Sequence, residues 1–186
     1  MGHSERLRQN YQRFVGLPWS KHQAGKQRVW FAVYPPSEER RIRVQLPEFQ
    51  VATIDAGHKW HLVDITREPP KWLAAHPYKE GYFTDPSALQ TVEEDVRTRV
   101  VEVLRTELGS AGVDGETVVA VIGLGALYGF AHISPIIERI EDTIRGRLLV
   151  FFPGEYERNL YRFMDARDGF NYMAVPITSN ESELSP

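Results

Sequence analysis

The chain has 186 residues, a formal net charge of -3, 42% hydrophobic and 25% charged residues, and no cysteine. That length suits one domain with a core large enough to fold without staples. The missing thiols exclude disulfides, thiolate nucleophiles, zinc fingers and iron–sulfur clusters, the acidic balance argues against direct DNA binding, and no apolar run approaches the roughly 18 residues of a membrane span.

The polar start "MGHSERLRQNYQ" lacks the apolar core of a secretory signal. Together with the absence of cysteine it sets a cytoplasmic expectation. A first helix is expected over 4–15, with Ser4 as N-cap, Leu7, Tyr11, Phe14 and Val15 on one face, and Gly16 and Pro18 as the stop. "RVWFAVYPP", residues 28–36, is a β-branched and aromatic run closed by prolines, the pattern of a strand buried on both faces.

Residues 37–57 carry mixed signals. Ile42, Val44 and Leu46 alternate like a strand, whereas Ser37 and Gly57 bracket a helix that Pro47 would break or restart. A helix is favoured, because parallel strands need a crossover. "WHLVDI", residues 60–65, is a second strand, and a short helix is expected near Trp72 to Ala75 within the Pro-rich stretch 67–90. The clearest helix follows: Val92, Val96, Val100, Val103, Leu104 and Leu108 form one stripe that ends at Gly109. "TVVAVIGLG" is a third strand. "SPIIERIEDTIRG" is a helix with Ser134 as N-cap and Pro135 at its first position, "RLLVFFPG" a fourth strand and "YMAVPI" a fifth. The polar tail 178–186 is expected to fray. Strands alternating with helices define an α/β class: a single Rossmann-like three-layer domain with a mainly parallel sheet of about five strands.

Three glycines, Gly123, Gly125 and Gly129, follow the third strand. A dinucleotide fingerprint needs its third glycine one residue earlier, a helix directly after it and an acid about 20 residues on at the next strand end. The third glycine is late, Ser134 comes five residues after it, Asp142 falls inside a helix and Glu155 comes too far along. The glycines therefore read as a bend off a buried strand, which presents Leu127, Tyr128 and Phe130 at the edge where α/β proteins place ligands. Asp64 ends the second strand on that same edge, where it serves either a ligand or the following turn. Gly123, Gly125 and Asp64 are the cofactor-side candidates, yet no phosphate loop, nucleophile elbow or H-E-x-x-H exists, and no cofactor or metal is expected. His58 and His61, three apart in an extended segment, point to opposite faces and do not share a metal.

The densest polar stretch is "PGEYERNLYRFMDARDGFNY", residues 153–172. It reads either as a salt-bridged connection between strands, with "RDG" as its turn, or as a recognition surface, since aromatics and arginine dominate interface hot spots. Tyr128, Phe130, Tyr156, Arg158, Arg162, Asp165, Arg167 and Asp168 are the candidate contact residues.

"VVAVIGLGALYGFAHISPIIERI" and "RLLVFFPGEYERNLYRFMDARDGFNYMAVPI", with the earlier "YPPSEE", resemble the BrxB family of bacteriophage-exclusion (BREX) systems. The likeness runs from about Arg28 to Ile177 and is strongest over the last third. It implies a cytoplasmic antiviral-defence component without established catalysis, associated with a PglZ protein and assembled with a methyltransferase, a large ATPase and other Brx proteins. The family supplies no agreed functional residues. The leading expectation is a non-catalytic assembly factor that confers phage resistance by protein–protein contact. The rival is a nucleotide- or nucleic-acid-binding domain, either a plain binding module or an enzyme, that uses the loops at the carboxyl ends of the strands.

Overall fold

The computed structural model describes residues 2–20, 22–166 and 169–180, so the candidates Arg167 and Asp168 lie outside the described residues. Among the described residues there are six strands: β1 (Val29–Tyr34), β2 (Lys59–Asp64), β3 (Thr117–Ile122), β4 (Arg147–Glu157), β5 (Leu160–Phe163) and β6 (Val175–Ile177). The helices are α1 (His3–Val15), α2 (Glu39–Asp55), α3 (Glu68–Ala75), α4 (Lys79–Thr84), α5 (Glu93–Leu108) and α6 (Ile133–Glu138). Strand order is β2-β3-β4-β1-β6, every pair on that path is parallel, and off it β5 pairs antiparallel with β4 and bridges from Tyr161 to Phe170.

Alternation along the strands sends successive side chains to opposite faces and so makes two cores. Trp30, Ala32, Val118, Ala120, Leu149 and Phe151 pack with Leu7 and Tyr11 of α1 and with Ile42 and Phe49 of α2. Phe31, Val33, Val119, Val121, Val150 and Phe152 pack with α5 and α6 on the other side. The result is a Rossmann-like three-layer α/β fold. β1 and β3 are buried at every position, which explains their unbroken apolar sequences.

The strand added to the expected count of about five is β5. Residues 153–163 are a hairpin rather than a loop. β4 passes the last residue of β1 and continues alone, and β5 covers its exposed end, pairing Gly154 with Phe163 and Glu157 with Leu160. Arg158 and Asn159 both have positive φ, 53° and 65°, the geometry of a two-residue type I′ turn.

Several end signals also differ from expectation. α1 starts one residue before Ser4, which is buried and does not cap it. Pro47 sits inside a continuous α2, because Ile42 and Phe49 on its buried side hold both halves against the sheet. α6 begins at Ile133, not at Ser134, and ends at Glu138. The chain then tightens into a short turn, Glu141–Thr143, which keeps Ile140 and Ile144 buried on the way to β4. The expected frayed tail is packed at its start: Thr178 and Ser179 are buried, and Asn10 Nδ2 of α1 donates to Thr178 O at 2.8 Å. Residues 181–186 lie outside the described residues.

Candidate functional site

The carboxyl edge of the sheet gathers almost every sequence candidate and divides them between two clefts. β1 leaves this edge toward α2 on one face. β4 leaves it toward β5, whose Tyr161 joins the core of the other face. The crevice between β1 and β4 is therefore the topological switch point, where doubly wound sheets bind ligands.

The first cleft, about 370 Å³, opens there. It is lined by Pro36, Glu39, Arg43, Thr66, Gly123, Gly125, Ala126, Pro153 and Met164. Its charged groups are engaged with one another. Arg43 Nε donates to Glu39 at 2.8 Å, Nη1 to Asp64 at 3.0 Å and Nη2 to Thr66 Oγ1 at 2.8 Å. Tyr34 donates a short hydrogen bond to Glu39. Asp64 Oδ1 accepts from the Thr66 N–H at 2.9 Å and from the Thr66 hydroxyl, so Asp64 caps its own turn. Burial alone would raise the Asp64 pKa, but the bonds from Thr66 and Arg43 outweigh it and hold the carboxyl below its ordinary value.

Gly123 belongs to this network geometrically. Its φ is +96°, and a Cβ there would collide with Thr66 Oγ1 and lie 2.6 Å from Thr66 N and 2.8 Å from Asp64 Oδ1. The glycine is required by the β2–α3 turn crossing it. Gly125 differs: it lines the cleft, and a Cβ there would meet nothing within 4 Å. Among the described residues, two carboxylates and a guanidinium held on three partners leave no further cation lining this cleft for a pyrophosphate.

The second cleft, about 450 Å³, lies between the loop after β3 and the end of the hairpin. Tyr128, Phe130, Phe163 and Phe170 supply its aromatic wall, and Glu93 and His132 stand on its rim. The Tyr128 and Phe163 rings lie 6.0 Å apart, and Phe163 and Phe170 pack on the buried Phe152 at 5.6 and 6.0 Å. Strand alternation decides what β5 presents. Tyr161 is fully buried and donates to Ala174 O at 2.8 Å, Leu160 and Arg162 face solvent, and Phe163 turns to the cleft. On the rim His132 Nδ1 lies 2.7 Å from Glu93, and this bond is the main reason the Glu93 pKa is lowered.

The contact candidates divide accordingly. Tyr128, 47% exposed, and half-buried Phe130 line the second cleft. Asp165 accepts the Tyr128 hydroxyl's hydrogen bond, which pushes the phenol pKa up. Arg162 is exposed and pairs with Glu155 at 3.2 Å on the hairpin's outer side. Arg158 forms the turn, and Tyr156 packs on Tyr161 at 4.7 Å while its hydroxyl donates to Asn159 at 3.0 Å. The hairpin thus separates Arg158 from the cleft wall and gives it a structural task. Phe163, Phe170, His132 and Glu93 were not among the candidates. The alternation in "LYRF" carries the signal for Phe163, whereas nothing local in the sequence joins Glu93 to His132.

His58 and His61 do serve opposite faces. His58 stacks on Trp19 at 3.5 Å and pairs with Glu116, and His61 pairs with Glu107 of α5 at 2.7 Å. Among the described residues no three acidic or histidine side chains gather as metal ligands, and no helix is long and apolar enough to cross a membrane. No protein-family model, curated protein or solved structure matches the chain.

Proposed function

We propose that this chain is a non-catalytic assembly component of a BREX-type phage-defence system and docks a PglZ-like partner in the aromatic cleft. The system and partner rest on the resemblance to the BrxB family. The surface rests on one observation: Tyr128 and Phe130 from the loop after β3, Phe163 from the end of β5 and Phe170 from the segment after it form a single apolar wall beside solvent. Aromatic side chains lose little rotamer freedom on binding and bury much area, so such a wall suits a partner's apolar anchor. Glu93 and His132 supply the polar rim, and the exposed Arg162–Glu155 pair flanks the cleft on the hairpin's outer side.

Co-expression with the PglZ-like protein tests this reading. Tyr128→Ala is expected to weaken capture strongly and Arg162→Ala modestly, with both variants folded. Undiminished capture by both removes this surface.

The nucleotide reading has the switch-point cleft and the open face of Gly125 in its favour. The bonds that tie Arg43 to Glu39, Asp64 and Thr66 weigh against it. A thermal-shift series with nucleotides decides, because a ligand bound only by the native state raises the melting temperature. No shift is expected.

A further inference from the structure

β2 ends the sheet, with β3 on one side and no strand on the other among the described residues. In a parallel ladder, successive residues point their main-chain groups alternately toward the two sides of the strand. The Lys59 N–H donates to Glu116 O and the Ile65 N–H to Ile122 O, each at 2.9 Å, so the odd-numbered residues face β3. Trp60, Leu62 and Asp64 therefore turn their N–H and C=O groups outward. No hydrogen bond among the described residues reaches those of Trp60 or Leu62. Edge strands are usually blunted by proline, a bulge or a covering element. β2 contains no proline, carries charge only at its ends, Lys59 and Asp64, and leaves Leu62 42% exposed at its middle.

The neighbouring helix repeats this polarity. Arg43 of α2 reaches Asp64, so Leu46, Gln50 and Ile54, at helical spacing from Arg43, flank the same edge, and Ile54 is 53% exposed. The first half of α2 carries Arg40, Arg41 and Arg43 against one carboxylate, Glu39, and its second half carries Glu48 and Asp55 with no basic residue.

We propose that two copies of this chain pair antiparallel through β2, with Leu62 facing Leu62 across a two-fold axis. An axis normal to the sheet keeps each side chain on its own face. It sets Trp60 opposite Asp64 and joins the two sheets into one. Antiparallel pairing brings the Lys59 end of each strand to the Asp64 end of the other, and the basic start of each α2 toward the acidic end of its mate. Parallel pairing would oppose like charges, which destabilises a sheet. This surface lies on the β2 edge, lined by different residues from the aromatic cleft, and its inference does not depend on the partner proposed there.

The chain has no cysteine, so Leu62→Cys supplies a single thiol per copy. Residues facing each other in a hydrogen-bonded antiparallel pair have Cα atoms about 5.5 Å apart, within disulfide range. Under mild oxidation Leu62→Cys is expected to form covalent dimers rapidly. Tyr78→Cys, 75% exposed elsewhere, should do so only slowly. Light scattering of the unaltered chain should give twice the 21.4 kDa monomer mass. Leu62→Lys should give the monomer with an unchanged circular dichroism spectrum. A monomeric unaltered chain overturns the proposal, and so does a dimer in which Leu62→Cys links no faster than Tyr78→Cys. Should Leu62→Lys misfold, the cross-linking comparison alone decides.

Discussion

The two clefts at the carboxyl edge are made of opposite materials. Among the described residues, the strong polar groups of the switch-point cleft already have partners: Arg43 uses Nε, Nη1 and Nη2 on Glu39, Asp64 and Thr66, and Tyr34 closes the chain on Glu39. In the aromatic cleft the opposite holds, since Tyr128, Phe130, Phe163 and Phe170 line a hollow that their own packing does not fill. A polar network that satisfies itself stabilises the fold and has little left for a ligand. An apolar wall left beside water gains free energy when something covers it. Position on the sheet favours the first cleft, but composition favours the second.

This contrast can be broken by substitution. The largest effect is expected at Gly123. Gly123→Ala forces a Cβ into Thr66 and Asp64 at positive φ and should cost about 2–3 kcal/mol in denaturant unfolding. Gly125→Ala, with open space around it, should stay within about 0.5 kcal/mol. Equal losses at both positions would contradict the reading of Gly123 as a structural glycine.

Next comes Arg43→Met, which leaves Glu39 and Asp64 without their shared cation. The Arg43 and Asp64 side chains are 33% and 47% exposed, so solvent screens the loss to about 1 kcal/mol or less. Its pH dependence is the sharper signature. The folded pKa of Asp64 is depressed, so its stabilisation is complete above the unfolded value of about 3.9 and disappears as pH falls through the folded value. The deficit of Arg43→Met should therefore be full at neutral pH and shrink in acid. A deficit that grows toward low pH would rule the network out as its source.

A smaller gain is expected at the hairpin. Arg158 occupies a left-handed position that asparagine accepts more readily, so Arg158→Asn should raise stability by about 0.5 kcal/mol. A loss would show that the Arg158 side chain contributes to the folded state beyond its turn geometry.

The class of fold was legible because it rests on long periodic signals. "VWFAVY" and "TVVAVI" are buried throughout, and the valine and leucine stripe of α5 faces the core at Val96, Val100, Leu104 and Leu108. What failed were single-residue end signals. Ser4 and Ser134 have the chemistry of caps, but packing started their helices earlier, and Pro47 was overridden by burial on both sides of it. The hairpin stayed hidden because "RN" is a weaker turn word than Asn-Gly, and because its register is set by β4 running past its parallel neighbours. Half of the candidate site was legible for the same reason. Loops after adjacent parallel strands share an edge, which joined Tyr128 to the 153–172 segment. Which of that segment's side chains turn inward depends on the hairpin register: Tyr161 and Phe163 share the inner face, and Phe163, at the strand's end, is the one that reaches the cleft.

The central claim is that the aromatic cleft takes the partner and the polar cleft does not. Titration of a PglZ-like partner against Tyr128→Ala and Arg43→Met, both shown to be folded, tests it directly. Loss of a hot-spot aromatic costs about 2 kcal/mol, so Tyr128→Ala should weaken binding by roughly 30-fold while Arg43→Met binds like the unaltered chain. Full binding by Tyr128→Ala, or loss of binding in Arg43→Met alone, would contradict the account.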